Sequence, residues 1–245
     1  MKEKDFLLNI LANGFSPRYV EESYAELGDI LMNFGPVVKI PMVCFCDIPL
    51  SQIAEHIQKY GGYGIGMTKS WGITNGLNPV LYASAKTNLS KMIGRIGETY
   101  WFGPITKGQI AMNSLVDFWN LAMYMKPYEG TSRNTGEHTV FYDEREWRYI
   151  PSSDHFGFED SPGFFLQPGV DDVARTIDWH NKRMAESPFQ LPFSPAGVRY
   201  LILKSEDEVV PFLREIDCVL SSWPPETVEV LKTKIITTDR ITKDM

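Results

Sequence analysis

Residues 41–82 alternate between the spacing of apolar positions that is typical of strands and the spacing that is typical of helices. Residues 42–46 show the period-2 alternation of a strand with two distinct faces. The next four apolar positions have the i, i+3, i+4, i+7 spacing of one helix face: Leu50, Ile53, Ala54 and Ile57. Gly61 and Gly62 are expected to end this helix, because glycine accepts the backbone conformation that helix ends often need. The stretch therefore predicts strand, helix, strand, helix and strand.

The second of these strands, residues 63–68, carries glycine at alternate positions. Gly64 and Gly66 share one face, and Tyr63 lies on the other. Two glycines on one strand face mark a close approach, either of another backbone or of a flat ligand, and the sequence leaves both open. The glycine spacing is not that of a dinucleotide-binding fingerprint, and Thr68 stands where a phosphate-binding P-loop needs glycine.

The same spacing rules predict the remaining elements. Helices are expected over 5–14, 21–33, 86–97, 109–125, 171–186 and 206–216 and from Pro225 onwards. Strands are expected over 79–83, 198–203 and 235–237, a turn over 16–19, and loops over 97–107 and 127–138. Together these predict a single α/β (α+β) domain over 1–245 with a mixed, split sheet and flanking helices. Residues 152–197, rich in Pro, Gly, Ser and Asp, are expected to form an insertion or lid.

The second informative stretch is 139–150, which is aromatic and β-branched at both ends and charged in the middle, as in a strand or a tight hairpin. On a continuous strand, Glu144, Glu146 and Arg148 point the same way. Buried carboxylates are costly unless they are paired, and Arg148 or Arg145 can supply the partner. Two interpretations follow: a surface ladder of ion pairs on an edge strand, or a catalytic carboxylate held by neighbouring cations.

Composition excludes several classes of protein. With 43% hydrophobic residues, the 245-residue chain resembles an ordinary globular protein. Its net charge of −7 argues against a surface that coats nucleic acid, and no apolar run approaches the ~20 residues of a membrane helix. No signal peptide and no disulfide framework are recognisable, so a cytoplasmic location is expected. Cys44 and Cys46 lack the companion ligands of a zinc site and are expected to be small core residues, with no metal bound.

Three further side chains have two interpretations each. His56 shares a helix face with Tyr60, so it is either a catalytic or bridging group or a structural hydrogen-bonding group. Trp71 either lines a cleft or packs in the core. Arg18 is either a phosphate or ribose clamp or an ordinary surface arginine after a turn.

The residues around the central stretch resemble the AbiGi family of bacterial abortive-infection, or phage-resistance, proteins. The matching residues are Cys44-Phe45-Cys46-Asp47-Ile48-Pro49-Leu50-Ser51, His56, Tyr60-Gly61, Tyr63-Gly64-Ile65-Gly66, Lys69, Trp71-Gly72 and Asn78-Pro79-Val80. Upstream, Asn13-Gly14-Phe15-Ser16-Pro17-Arg18-Tyr19 and Glu21 are similar to the N-terminal block of the same family. The family is described as one half of a toxin–antitoxin pair, often the antitoxin. More distantly, the layout resembles ADP-ribosyltransferase toxins of the DarT kind.

The more distant resemblance implies an ADP-ribosyltransferase-like fold and transfer of ADP-ribose from NAD to a macromolecule, either protein or nucleic acid. It implies that Glu146 holds the ribose 2′-hydroxyl and that Glu144, as the first glutamate of an E-x-E pattern, orients the acceptor. The NAD-binding residues would be Arg18, Tyr60, Tyr63, Gly64, Gly66 and Lys69. Arg18 and Lys69 would neutralise the pyrophosphate, while a tyrosine stacks on the nicotinamide.

Two main functions are therefore expected from the sequence. The first is a phage-defence toxin that transfers ADP-ribose, which the charged cluster at 144–148 and the glycine-faced strand favour. The alternative is a non-catalytic antitoxin or regulatory partner of a toxin, which the acidic charge of the chain favours. A third, weaker interpretation is a sensor that binds a nucleotide or a phage component without turnover.

Overall fold

The computed structural model describes residues 1–24, 27, 37–102, 117–132, 136–152, 154, 156, 166, 176–186 and 188–244. The chain divides into two compact units. The first unit comprises Met1–Ser16, Ile48–Leu77 and Gln190–Met245, and the second comprises Pro17–Asp47 and Asn78–Phe189. The architecture is mixed α+β, with several small sheets.

The elements are numbered in chain order. The strands are β1 (Arg18–Ser23), β2 (Val37–Cys46), β3 (Gly64–Met67), β4 (Asn78–Pro79), β5 (Leu81–Ala83), β6 (Met125–Pro127), β7 (Glu129–Thr131), β8 (His138–Val140), β9 (Glu146–Tyr149), β10 (Val198–Leu203) and β11 (Ile235–Thr237). The helices are α1 (Lys4–Asn13), α2 (Ala54–Tyr60), α3 (Lys69–Thr74), α4 (Asn88–Phe102), α5 (117–123), α6 (Ile177–Met184), α7 (Val209–Val219), α8 (Pro225–Lys232) and α9 (Thr238–Asp244).

The first unit is built on a three-stranded sheet in the order β11-β10-β3. Strand β10 pairs in parallel with β11 and antiparallel with β3, and α1 packs against α7. Its core is formed by buried aliphatic and aromatic side chains from these elements: Leu7, Leu11, Leu201, Leu203, Phe212 and Ile216. A hydrogen-bonded ion pair of 2.7 Å between Lys4 and Glu215 links α1 to α7. Gly14, with φ of 79°, ends α1 in a backbone conformation that suits glycine.

The second unit is built on a four-stranded sheet in the order β1-β2-β9-β4, with every neighbouring pair antiparallel. Two smaller sheets pair β5 with β6 in parallel and β7 with β8 antiparallel. The core joins β2 to α5 and its neighbours: Val38, Ile40, Met42, Phe118, Trp119, Met123 and Met125. The central place of β9, between β2 and β4, determines the surroundings of the charged residues that it carries.

Several predicted elements are confirmed. Strands β3, β10 and β11 lie where the alternation of apolar residues predicted them, and α8 begins at Pro225 as expected. Helix α2 ends at Tyr60, and Gly61 follows it with φ of 99°. Among the described residues no helix is long and apolar enough to cross a membrane.

The helix predicted over 21–33, and the turn predicted over 16–19, are wrong where the structure describes them. Residues 18–23 form strand β1, which pairs with β2. Glu22 is buried within this strand, where a distant arginine pairs with it. Residues 25, 26 and 28–36 lie outside the described part of the chain.

Other boundaries also differ from the predictions. Helix α4 runs to Phe102, where a loop was expected from residue 97, and strand β6 occupies the end of the helix expected over 109–125. Strand β7 lies within the loop predicted over 127–138. The strand or hairpin predicted over 139–150 is two strands separated by the 3-10 turn Phe141–Glu144. Of the insertion or lid predicted over 152–197, most of residues 153–175 lie outside the described residues, and α6 covers Ile177–Met184.

Candidate functional site

The charged residues of β9 meet at a buried arginine in the second unit. Arg148 has no exposed surface, although it is one of the largest and most polar side chains in the chain. Its Nε donates a hydrogen bond to Oε1 of Glu146 at 2.7 Å, and its Nη2 donates to Oε1 of Glu22 on β1 at 2.8 Å. One guanidinium therefore joins carboxylates from two strands of the sheet.

The rest of the guanidinium is also hydrogen-bonded. Nη1 donates to the carbonyl oxygen of Met123 at 2.7 Å and, more weakly, to that of Met125 at 3.4 Å. A buried ion pair is tolerated when further hydrogen bonds satisfy the donors that the carboxylates leave over. Arg148 therefore fastens β9 to β1 and to the segment between α5 and β6.

Lys126 of β6 supplies a second cation. Its Nζ donates to Oε2 of Glu146 at 2.7 Å and to Oε2 of Glu144 at 3.3 Å. The backbone N–H of Glu146 donates to the hydroxyl of Tyr82 at 2.9 Å. Both carboxylate oxygens of Glu146 are thus held by cations. We call Glu22, Lys126, Glu144, Glu146 and Arg148 the ionic cluster.

Burial and mutual charge shift the pKa values of Glu22, Lys126, Glu146 and Arg148. Burial raises the pKa of Glu146, but the charges and hydrogen bonds of Arg148 and Lys126 outweigh burial and lower that pKa to about 2. Desolvation raises the pKa of Glu22, although Arg148 opposes it. Burial lowers the pKa values of Lys126 and Arg148, yet the glutamates around them raise both above their ordinary values. Glu146 is therefore a paired carboxylate, which is poorly suited to accept a proton at neutral pH.

The predicted arrangement of these charges is confirmed in part. Glu146 and Arg148 share a strand face and pair with each other. Glu144 does not lie on that strand, because Arg145 adopts φ of 43° and ends the preceding turn. Lys126 nevertheless brings the carboxylates of Glu144 and Glu146 to one ammonium group. The interpretation as a surface ladder on an edge strand is wrong, since β9 lies inside the sheet.

Three members of the site were not predicted: Glu22, Tyr82 and Lys126. Glu22 is 126 residues from Arg148 in the sequence, and Lys126 is 20 residues from Glu146. Neither separation produces a local pattern. The signal available in the sequence was that charged residues occupy alternate positions of β9. Buried charges need partners, but the pattern does not show which residues supply them.

The other candidate residues are divided between the two units. Arg18 lies in the second unit, exposed at the start of β1. The remaining candidates belong to the first unit: His56, Tyr60, Tyr63, Gly64, Gly66, Lys69 and Trp71. The residues expected to bind NAD therefore belong to both units.

The glycine face of β3 is covered by bulky neighbours on β10. A Cβ atom at Gly64 would lie 3.2 Å from a side-chain atom of Ile202, and one at Gly66 would lie 3.2 Å from a side-chain atom of Tyr200. These two residues pair with the two glycines in the sheet. Of the two interpretations of this face, the structure favours close packing over an open binding site for a flat ligand.

Tyr63 and Trp71 have structural partners within the first unit. The hydroxyl of Tyr63 donates to Oε1 of Glu208 at 2.6 Å, and this hydrogen bond raises the pKa of Tyr63 to about 12. Trp71 is buried, and its ring lies 5.5 Å from that of Phe15. It also packs on Gly197, where a Cβ atom would lie 2.6 Å from the indole. Trp71 therefore follows the core interpretation.

His56 and Tyr60 share a helix face as predicted, with ring centroids 4.5 Å apart. Lys69 is exposed and opens α3 after the N-cap Thr68. The strand cysteines were expected in the core, but Cys46 is half-buried and the Cys44 residue is exposed, although its thiol lies beside Glu146, and burial raises the pKa of that thiol well above its usual range. The fully buried positions of β2 end at Met42. Within the described ranges, His, Cys, Asp and Glu form no group of three that is suited to a metal ion.

Comparison with known proteins identifies the family. Residues 13–204 match the family model described as "Putative abortive phage resistance protein AbiGi, antitoxin". The chain is also 29% identical, over 262 residues, to the abortive phage resistance protein AbiGi of Lactococcus lactis subsp. cremoris, an alignment that covers 94% of this chain and 99% of the relative. No solved structure matches the chain. The family model covers most of the sequence, and the chain therefore belongs to the AbiGi family of abortive phage resistance proteins.

Proposed function

We propose that this protein is an antitoxin of a phage-resistance system, which acts by binding a toxin rather than by catalysis. The description of its family as an antitoxin supports this proposal. The structural observation behind the proposal is that the carboxylate of Glu146 is already paired within the protein. Both of its carboxylate oxygens are engaged by buried or half-buried cations, so the residue best placed for catalysis is part of the protein's internal framework.

Releasing Glu146 for chemistry would be costly. A substrate hydroxyl that replaced Arg148 or Lys126 would leave a buried cation without one of its carboxylates. Breaking a buried ion pair on one side typically costs about 3–5 kcal/mol. A stabilising role in the fold of a binding protein requires no such rearrangement.

The charge of the chain is consistent with a protein partner. At −7, it would attract a basic toxin and speed their encounter. A neutralising protein needs a stable surface, and the ionic cluster provides internal support for the second unit.

A second candidate function is transfer of ADP-ribose from NAD to a protein or nucleic acid. One observation favours it: Glu144 and Glu146, the E-x-E pair, both contact Lys126. In this scheme Glu146 would hold the ribose 2′-hydroxyl and Glu144 would orient the acceptor. The filled glycine face of β3 fits NAD poorly, so we rank this function second.

Growth of a phage-free bacterial host distinguishes the two functions. This chain, the protein encoded beside it, and both together would be expressed from separate promoters. An antitoxin leaves growth unchanged when it is expressed alone and restores growth when it is expressed with a toxic neighbour. Growth arrest by this chain alone, relieved by Glu146→Gln, would instead support the transferase.

A variant that keeps the fold is needed as the control. Glu146→Gln disturbs the ionic cluster, so a loss of arrest could reflect unfolding. Glu144→Gln alters the more accessible carboxylate, whose contact with Lys126 is the longer one at 3.3 Å. The antitoxin proposal predicts that Glu144→Gln still neutralises the neighbour, and circular dichroism of both variants checks their folding.

A further inference from the structure

Two tyrosines form an exposed stack at one end of the β7–β8 hairpin. The rings of Tyr128 and Tyr142 lie 5.6 Å apart at an interplanar angle of 25°. Tyr128 is 37% exposed and Tyr142 is 48% exposed, both high values for large aromatic side chains. Aromatic rings that pack against each other and still face solvent are typical of protein interfaces.

The stack is held in place from beneath. The N–H of Tyr142 donates to the carbonyl oxygen of Tyr128 at 3.2 Å, a hydrogen bond that joins the two chain segments just beyond the paired strands. The ring of Tyr142 also meets that of Tyr82 edge-on at 5.4 Å. Tyr82 in turn accepts the N–H of Glu146, so the stack rests on the ionic cluster. A surface that is ordered before binding loses little side-chain entropy when a partner arrives.

A carboxylate follows each tyrosine in the sequence. Glu129 follows Tyr128 in the sequence and Asp143 follows Tyr142, and both carboxylates are exposed. Nε2 of His138 lies 3.8 Å from Glu129, and the exposed Arg145 follows this turn, so the local charge is mixed but not basic. Both carboxylates and tyrosine ring faces attract cations.

We propose that Tyr128, Glu129, Tyr142 and Asp143, the tyrosine–carboxylate surface, bind an arginine- or lysine-bearing segment of the toxin. This inference rests on the proposed antitoxin function and adds the place and chemistry of the contact. Guanidinium groups stack on tyrosine rings and pair with carboxylates, so a basic segment suits both kinds of group on this surface. A nucleic-acid partner is disfavoured, because its phosphates would meet the two carboxylates.

The test measures the affinity for the toxin identified by co-expression. Full-length wild type would be compared with Glu129→Lys/Asp143→Lys, which reverses the exposed charges and leaves the stack. Phe6→Ala and Glu226→Lys are matched controls, since Phe6 is 52% exposed on α1 and Glu226 is exposed on α8. We expect the charge-reversed variant to bind at least about tenfold more weakly, and the controls to change affinity less than about twofold.

A second variant and a salt series separate the contribution of the rings from that of the charges. Tyr128→Ala/Tyr142→Ala is expected to lose at least about tenfold in affinity. Wild-type affinity is expected to fall with added salt, and the charge-reversed variant should lose most of that dependence. If both variants bind the toxin with wild-type affinity and still neutralise it, this surface is not the toxin-binding site, while the proposed antitoxin function stands. Failure of wild type to bind the toxin at all would overturn the proposed function and this inference with it.

Discussion

Arg148 and Glu146 lie two residues apart on β9 and meet through a 2.7 Å hydrogen bond between Nε and Oε1, inside the second unit. The guanidinium is fully buried, so this contact replaces water that both groups would otherwise bind. The pair is useful to the fold because it is shared: Glu22 and Lys126 extend it to β1 and β6. Strand β9, one of the two inner strands of the sheet, is therefore held by charge as well as by backbone pairing.

Replacing Arg148 should remove most of the stability that the ionic cluster contributes to the fold. Arg148→Met keeps the side-chain length but leaves Glu22 and Glu146 buried without their shared cation. We expect the free energy of unfolding to fall by about 3–5 kcal/mol. Denaturant unfolding measures it, with the exposed Arg214→Met of α7 as the control, expected to stay within about 0.5 kcal/mol of wild type. Equal effects of the two substitutions would contradict the structural role of Arg148.

The stabilisation from Glu146 should disappear in acid. Its pKa is lowered in the folded protein to about 2 from the ordinary 4.5, so its contribution is present above pH 4.5 and is lost as pH falls towards 2. Glu146→Gln lacks this titration. Wild type should exceed the variant in unfolding free energy by roughly 3 kcal/mol near neutral pH, and the difference should shrink steadily between pH 4.5 and 2.

The contribution of Glu22 to stability depends on pH in the opposite direction. Burial raises its pKa, so its contribution is lost as pH rises. Comparing wild type with Glu146→Gln at each pH largely cancels this effect, since both proteins keep Glu22. A stability difference that stays constant from neutral pH to pH 2 would show that Glu146 is not held as a carboxylate.

Arg145 adopts φ of 43°, a left-handed conformation that non-glycine residues occupy at a cost. Its side chain is exposed, so Arg145→Gly should relieve the strain without opening a cavity. The left-handed conformation costs an L-residue about 1–2 kcal/mol, and glycine loses about 0.5–1 kcal/mol more backbone entropy on folding. We therefore expect net stabilisation by about 0.5–1 kcal/mol, measured as a rise in the thermal midpoint. Arg214→Gly in the middle of α7 is the control and should lower the midpoint, because glycine disfavours a helix. A lower thermal midpoint for Arg145→Gly would contradict the claim that the backbone of Arg145 is strained.

The glycine face of β3 should reject larger side chains. Gly66→Val would drive a branched side chain into Tyr200 and cost about 1–3 kcal/mol in unfolding free energy. Tyr200→Ala in the same chain should recover part of that loss, because it removes the colliding ring. The double variant is expected to lose less stability than the sum of the two single variants. Strict additivity would indicate that the two side chains do not collide.

Local patterns predicted the first unit better than the second. Strands β10 and β11 and the start of α8 follow from runs of apolar residues and from Pro225, which act over a few neighbours. Strand β1 was predicted partly as a turn and partly as the start of a helix, and it carries the buried Glu22. Its burial depends on Arg148, which no local pattern can indicate.

The candidate site shows the same division. The sequence predicted that Glu146 and Arg148 share a face, because alternate positions of a strand always do. It did not predict Lys126, which reaches the ionic cluster through the pairing of β6 with β5. The glycines of β3 also required the partner strand, since only the side chains of Tyr200 and Ile202 decide whether that face is open.

The measurement that tests the account most directly is a titration of the purified protein into its toxin, followed by the toxin's own activity. The account predicts inhibition that is complete at a fixed molar ratio, needs no NAD and survives Glu144→Gln. Label transferred from NAD to a macromolecule by this protein alone, and lost in Glu144→Gln with the fold intact, would contradict it.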